Sequence, residues 1–414
     1  MAKIRIAVQG CCHGELNEIY RTVTRVSSIN KIDLVIILGD FQSIRNSHDL
    51  QSISIPPKYR KMGDFPKYYY GTLKAPIPTI FIGGNHESMR QLMLLPYGGF
   101  VAQNIYYMGY SNIIWFQGVR IGGLSGIWKE WDVEAERPSW DYLEGQNWRV
   151  NVRSLYHVRK ADFAPLFMIR DNLDIMLTHD WPDGVVYHGD IEKLLKRKPY
   201  FRRDINNGEL GSPVSWELLR KLRPKWWLSA HLHVKFEAVI KHKEISSGEQ
   251  RPLTVDENPD EIELNLNTPV DNSEQTEEMP GNRATLASEN TETKFLALDK
   301  CLPGREWFQV IEVEPDTSHP SWKDKGSLYW DPEFISCLRY VQGNHEAIRD
   351  VPLSELGCEM PDCGEDQRFD QKPVNLDIYK IPHYIDRLQT PESVQTQLFI
   401  DRFLGESPQK PRYR

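Results

Sequence analysis

Cysteine is scarce here. Six residues in 414, Cys11, Cys12, Cys301, Cys337, Cys358 and Cys363, show no regular spacing. That excludes a disulfide framework, and a disulfide-linked partner is not expected. No apolar run is long enough to span a bilayer, so no membrane partner is expected either. The start, Met1-Ala2-Lys3-Ile4-Arg5, lacks the apolar stretch of a secretion signal. These absences together lead to the expectation of a reducing compartment, cytosol or nucleus. Positive charge is lacking in one part only. Residues 1–243 carry 33 Lys and Arg against 24 Asp and Glu, whereas 244–414 carry 17 against 34, within a net charge of −8. A basic first part suggests an anionic ligand on that part, the plain alternative being a solubility asymmetry.

What is present is enough apolar material, 40% of residues, for a full core and an accessory region. Short apolar runs read as strands at Lys3 to Gly10, Ile32 to Leu38, Ile77 to Ile82, Val119 to Leu124, Asp174 to Leu177 and Trp226 to Ser229. Leu16, Ile19, Tyr20, Val23 and Val26 recur at helical spacing after the first. Strands alternating with helices and long loops predict an α/β sandwich. In such sheets ligands bind beyond the carboxyl ends of the strands.

Residues 244–292 differ in kind. Thirteen acids meet only Arg251 and Arg283 among Pro, Asn, Thr and Ser. Such a stretch cannot bury enough apolar surface to order itself. Strand-like segments flank it, Phe236 to Ile240 before and Lys294 to Leu298 and Trp307 to Val313 after. The expectation is therefore a disordered acidic insertion at 244–292, with returning strands of the sandwich over 293–314. The tail, 315–414, reads as an accessory region closing in a helix that Thr390 can cap and Gly405 stops. Cys358 and Cys363 could suggest a metal, but no second pair supports it.

The strand ends carry chemistry: Cys11 and His13; Asp40; Asn85 and His86; His179; His231 and His233. A single buried His is more often a satisfied core residue, but so many metal-competent groups at five strand ends are hard to explain that way. Imidazole, thiolate and carboxylate together suit Mn, Fe or Zn. One tetrahedral zinc needs fewer ligands, whereas two ions bridged by Asp40 account for them all. Two ions clamp an in-line displacement at phosphorus and make hydroxide available near neutral pH. His86 is then placed to protonate the leaving oxygen, with Glu87 to orient it.

These residues resemble the calcineurin-like metallophosphoesterases, whose motifs are Asp-x-His, Gly-Asp, Gly-Asn-His-Glu, a lone His, and Gly-His-x-His. Here they stand, in the same order, as Cys11-Cys12-His13, Gly39-Asp40, Gly84-Asn85-His86-Glu87, His179 and Ala230-His231-Leu232-His233. Two positions depart: Cys11 replaces the first Asp, and Ala230 the Gly. A neutral thiol is a poor bridging partner, but a thiolate is a strong zinc ligand. The Cys form, Gln9-Gly10-Cys11-Cys12-His13-Gly14, is similar to one branch, the RNA lariat debranching enzymes. So are Gly39-Asp40-Phe41-Gln42-Ser43, Ile55-Pro56-Pro57-Lys58-Tyr59, Gly122 to Trp128, and His179-Asp180-Trp181-Pro182. The similarity runs to about residue 243 and resumes near Phe295 to Cys301.

The resemblance implies a metallophosphoesterase αββα sandwich, with a catalytic domain over 1–243. It implies Cys11, His13, Asp40, Asn85, His179, His231 and His233 as ligands of two divalent ions, Fe, Zn or Mn. It further implies a branched RNA substrate, hydrolysed at its 2′–5′ phosphodiester by metal-activated hydroxide with His86 as general acid to give a linear RNA with a 5′ phosphate. A nuclear location with a cytoplasmic pool is implied as well, and splicing or RNA-decay factors could meet the acidic insert or tail. RNA is also suggested by the stretch 128–159, where Trp128, Trp131, Trp140, Tyr142, Trp148 and Tyr156 are interleaved with Arg137, Arg149, Arg153, His157 and Arg159. Flat rings stack on unpaired bases and guanidiniums hold phosphates. Core packing is the alternative for those rings. The stretch resembles the family's lariat-recognition loop. A second basic cluster, Lys196-Arg197-Lys198 and Arg202-Arg203, either touches phosphates or is a solvated face. Two readings compete with debranching: a general metal-dependent nuclease on the same sandwich, and a scaffold that has lost its chemistry.

Overall fold

The computed structural model describes residues 2–242, 290–353, 355–356, 376–383 and 393–405. Strands β1 (Ile4–Gln9), β2 (Leu34–Ile37), β3 (Thr79–Phe81), β4 (Gly99–Ala102) and β5 (Ile105–Tyr107) lie in one sheet. Strands β6 (Ser111–Phe116), β7 (Val119–Leu124), β8 (Ile175–Thr178), β9 (Trp226–Ser229), β10 (Phe236–Lys241) and β11 (Glu292–Ala297) lie in a second. Then β12 (Phe308–Val313) returns to the first sheet and β13 (Leu328–Trp330) to the second. The orders are β12-β1-β2-β3-β5-β4 and β10-β11-β9-β8-β7-β6-β13.

Alternation along the strands builds the layers. Ile6, Val8, Ile36 and Ile80 share a core with Ile121, Ile175, Leu177 and Trp227 of the second sheet. The intervening Ala7, Val35, Ile37 and Phe81 instead meet Leu16, Ile19, Tyr20 and Val23 of the helix Leu16–Ser27. The helices Lys160–Phe167 and Pro213–Leu222 add Phe163, Ala164, Leu218 and Leu219 to the second sheet's core. This is the expected αββα sandwich. Each fully buried Ile or Leu contributes about 1.5–3 kcal/mol, so the central strands are rigid mounts for the loops at their ends. β1, β2 and β3 are parallel neighbours, as are β7, β8 and β9. Their carboxyl ends therefore point the same way within each sheet.

The expected returning strands are present, but they divide: β11 pairs with β9 and β10, whereas β12 pairs with β1. Most of the 244–292 stretch, residues 244–289, lies outside the described residues, as do Cys358 and Cys363. The tail is less separate than expected. β13 extends the second sheet beside β6, and the buried Arg120 of β7 reaches Asp331 and Glu333. A three-residue strand gives too short a pattern to read from sequence. The closing helix begins at Val394 with Ser393 as its cap, and Thr390 lies outside the described residues.

Candidate active site

Four of the predicted ligands sit where the backbone leaves the strands in a left-handed conformation. His13, Asp40, His231 and His233 have φ of 51°, 48°, 61° and 50°, four of the eight non-glycine residues with positive φ among the described residues. Such strain persists only where the surroundings enforce it, and it gathers at functional sites. Glycines clear the space between strand ends. A Cβ on Gly84 would lie 2.4 Å from Asp40 Oδ1, and one on Gly39 would lie 2.3 Å from His179 Nδ1.

Two groups of donor atoms converge, and Asp40 belongs to both. Its Oδ2 is 3.6 Å from His13 Nε2, which is 3.2 Å from His233 Nε2. Ligand atoms of Cys11, His13, Asp40 and His233 all lie within 4.8 Å of one another. On the other side, Asp40 Oδ1 is 3.4 Å from His179 Nε2. The Asn85 Oδ1 is 3.2 Å from that nitrogen and 3.1 Å from His231 Nδ1. His179 Nδ1 donates to the Leu38 carbonyl at 2.6 Å, which fixes the tautomer and leaves the Nε2 lone pair facing Asp40.

Charge and burial suit cations. Burial would raise the Asp40 carboxyl, yet the imidazoles of His179, His13 and His86 outweigh it and hold it well below the usual carboxylate range. Burial pushes His179 down to about 4 and His233 down to about 3, so both are neutral at pH 7 with lone pairs free. Burial, with the Asp40 charge, pushes the Cys11 thiol well up. A fully buried carboxylate ringed by imidazoles, an amide oxygen and a sulfur is a donor set for divalent metals of the Mn, Fe or Zn kind. The residues present fit the metals that the resemblance implies.

His86 stands beside this cluster. Its backbone N–H donates to Asp40 Oδ1 at 2.9 Å, its Nε2 is 3.3 Å from Asn85 Nδ2, and its Nδ1 is 3.1 Å from the Ser54 carbonyl oxygen. The orienting task that the motif order assigns to Glu87 is corrected. Glu87 is buried and accepts backbone N–H groups of Phe41, Gln42 and Gly84 at 2.8, 2.8 and 2.9 Å. It ties the loop after Asp40 to the loop before Asn85, and a backbone carbonyl orients His86. The adjoining Ile55-Pro56-Pro57 is the nearest sequence signal to Ser54, and a backbone acceptor leaves no mark in residue type.

The 128–159 stretch divides into two sets. Trp131 is 73% exposed and Tyr142 53%. Arg149 and Arg153 are exposed, and Trp128, Trp140 and Tyr156 are half-buried. Tyr156 OH lies 3.3 Å from Ser54 Oγ, which brings this loop to the residue that holds His86. Trp148 and His157 are corrections. Trp148 packs with Met89, Leu143, Val152 and Leu155 under the Arg90 guanidinium, 4.5 Å from its ring centroid. The buried His157 bonds Asp132 at 2.5 Å. Arg137 also turns inward, to both oxygens of Asp162 at 2.9 and 2.6 Å. These three hold the loop's shape, and helical packing over Trp148–Leu155 explains why an apolar ring there goes inside.

Two family models match: calcineurin-like phosphoesterase over residues 4–235, and the C-terminal domain of lariat debranching enzyme over 290–398. The lariat debranching enzyme of Saccharomyces cerevisiae is 53% identical over 406 residues, covering 98% of this chain and 100% of that protein. That of Schizosaccharomyces pombe is 40% identical, covering 85% of this chain and 82% of that protein. The human one is 40% identical over 81% of this chain and 53% of its own length. The chain belongs to the lariat debranching enzyme family of calcineurin-like phosphoesterases.

Proposed function

We infer that the chain hydrolyses the 2′–5′ phosphodiester at the branch point of lariat RNA, giving linear RNA with a 5′ phosphate. The observation that carries this reading is the Asp40 carboxylate shared between two donor groups, with His86 bonded to the same carboxylate through its backbone.

Cys11, His13, Asp40 and His233 would hold one ion, and Asp40, Asn85, His179 and His231 a second. Bound there, Fe, Zn or Mn supplies Lewis acidity at the phosphoryl oxygens and a lowered pKa for an attacking water. The protein does the rest. With Nδ1–H donated to the Ser54 carbonyl, Nε2 is the atom through which His86, once protonated there, would hand the departing 2′ oxygen its proton. Trp131, Tyr142, Arg149 and Arg153 offer rings and cations from the loop that reaches Ser54 through Tyr156. A branch point is splayed and partly single-stranded, so stacking rather than groove reading suits it. Cys11, Cys12, Cys301 and Cys337 are buried and form no disulfide among the described residues, which fits a reducing nucleus or cytoplasm.

Metal-stripped protein given back Mn, Fe or Zn tests the reading. It predicts that debranching returns as the chain takes up two ions. Full activity in rigorously metal-free protein would overturn it.

A further inference from the structure

The segment after β8 carries cations and rings that take no part in the site above. Residues 187–203 hold six Lys and Arg against two acids. Among the described residues, only Arg197 of the six has an ion-pair partner, Glu306. Tyr187 is 64% exposed and Tyr200 63%. Tyr187 OH donates to the Ile205 carbonyl at 3.3 Å, which sets it against the helix Phe201–Asn206. Lys198 Nζ lies 5.8 Å from the Tyr200 ring centroid. Exposed rings among unpaired cations are what an unpaired polynucleotide strand binds. A face that was merely solvated would leave such rings unused.

A chain of contacts links this surface to the metal cluster. Glu306, the partner of Arg197, accepts the Asp299 N–H at its carbonyl, 3.1 Å. Two residues on, Cys301 N–H donates to the Cys11 carbonyl at 3.0 Å. Between them, the half-buried Lys300 side chain has no ion-pair partner among the described residues. The 128–159 loop approaches from elsewhere, through Tyr156, Ser54 and His86. The two basic surfaces thus reach the site from different sides, one through Cys11 and the other through His86. A branch nucleotide joins three strands, so one loop leaves strands unaccounted for.

We propose that this face is a second RNA-binding track, holding a single-stranded arm of the branched substrate that enters past Lys300 and runs over Tyr187, Lys196, Lys198, Tyr200, Arg202 and Arg203. The proposal rests on the debranching reading. Rings take bases without sequence preference, and cations take phosphates, so affinity depends on arm length and salt rather than sequence.

The test uses the full chain loaded with metal and branched RNAs whose arms are about two or about ten nucleotides long, a span within the usual single-strand site sizes. Wild-type KM is expected to be about tenfold lower for the long arm, with a salt slope steeper by roughly 0.7 per added phosphate contact. K196Q/K198Q/R202Q/R203Q removes that advantage. Tyr200→Ala, which deletes one exposed ring, removes part of it and serves if the quadruple variant misfolds. A wild-type KM that ignores arm length overturns the track, as does a folded variant that keeps the full advantage. Failure of wild type to cleave either RNA would instead overturn the debranching reading beneath it.

Discussion

The ring of His86 is fastened to Ser54 through Nδ1 and the backbone carbonyl oxygen, 3.1 Å apart. A carbonyl only accepts, so Nδ1 is the donor and Nε2 is the atom left to exchange protons at the site. His86→Ala should therefore lower kcat about a hundredfold to ten-thousandfold, the usual worth of a positioned acid. Metal content, read by elemental analysis, should stay at the wild-type level, because His86 is outside both donor groups. A wild-type rate, or loss of metal, would contradict this role.

Cys11 stands where related sites carry Asp, and its ligand atom lies within 4.8 Å of those of His13, Asp40 and His233. Thiolate favours zinc, whereas carboxylate favours harder ions such as Mn. Cys11→Asp should keep metal binding but shift preference from zinc toward manganese by at least about tenfold in relative affinity, read by competition between the two ions. Unchanged preference would mean that the sulfur is not a ligand.

Glu87 satisfies three buried backbone N–H groups at once. An unmade buried hydrogen bond costs about 1–3 kcal/mol, so Glu87→Ala should lower stability by about 3 kcal/mol or more. Metal affinity should fall with it, since the two loops carry Asp40 and Asn85. Thermal unfolding and metal titration read both. A variant with an unchanged Tm but a depressed kcat would return Glu87 to the task of orienting His86.

β10 and β11 are antiparallel neighbours, with Lys241 opposite Glu292. That register can be closed by a short turn. Replacing residues 244–289 with such a turn should leave kcat within about twofold and the fold intact, because loop length carries only a small entropic term. Loss of activity in a well-folded deletion would show that the acidic stretch serves the site.

The sandwich was legible because its strands are short, apolar and end in polar groups, as with Ile36-Ile37-Leu38-Gly39-Asp40. The cluster at the strand ends was legible for the same reason: each of its members is a distinctive residue type within a few positions of a strand end. Three things were not. The hold on His86 by a carbonyl has no residue signature. The inward turn of Trp148 and His157 depends on Met89 and Asp132, partners that only folding brings close. β13 is three residues long and gains its place from pairing with β6 rather than from its own pattern.

Selective attack on the 2′–5′ bond is the central claim. It is tested most directly with a synthetic branched RNA carrying both 2′–5′ and 3′–5′ linkages at one nucleotide, incubated with the metal-loaded full chain and resolved by product length and end group. The expected result is cleavage at the 2′–5′ bond alone, leaving a 5′ phosphate on the released strand. Comparable cleavage of the 3′–5′ linkages would contradict it and mark a general nuclease, and no cleavage with metal bound would mark a scaffold.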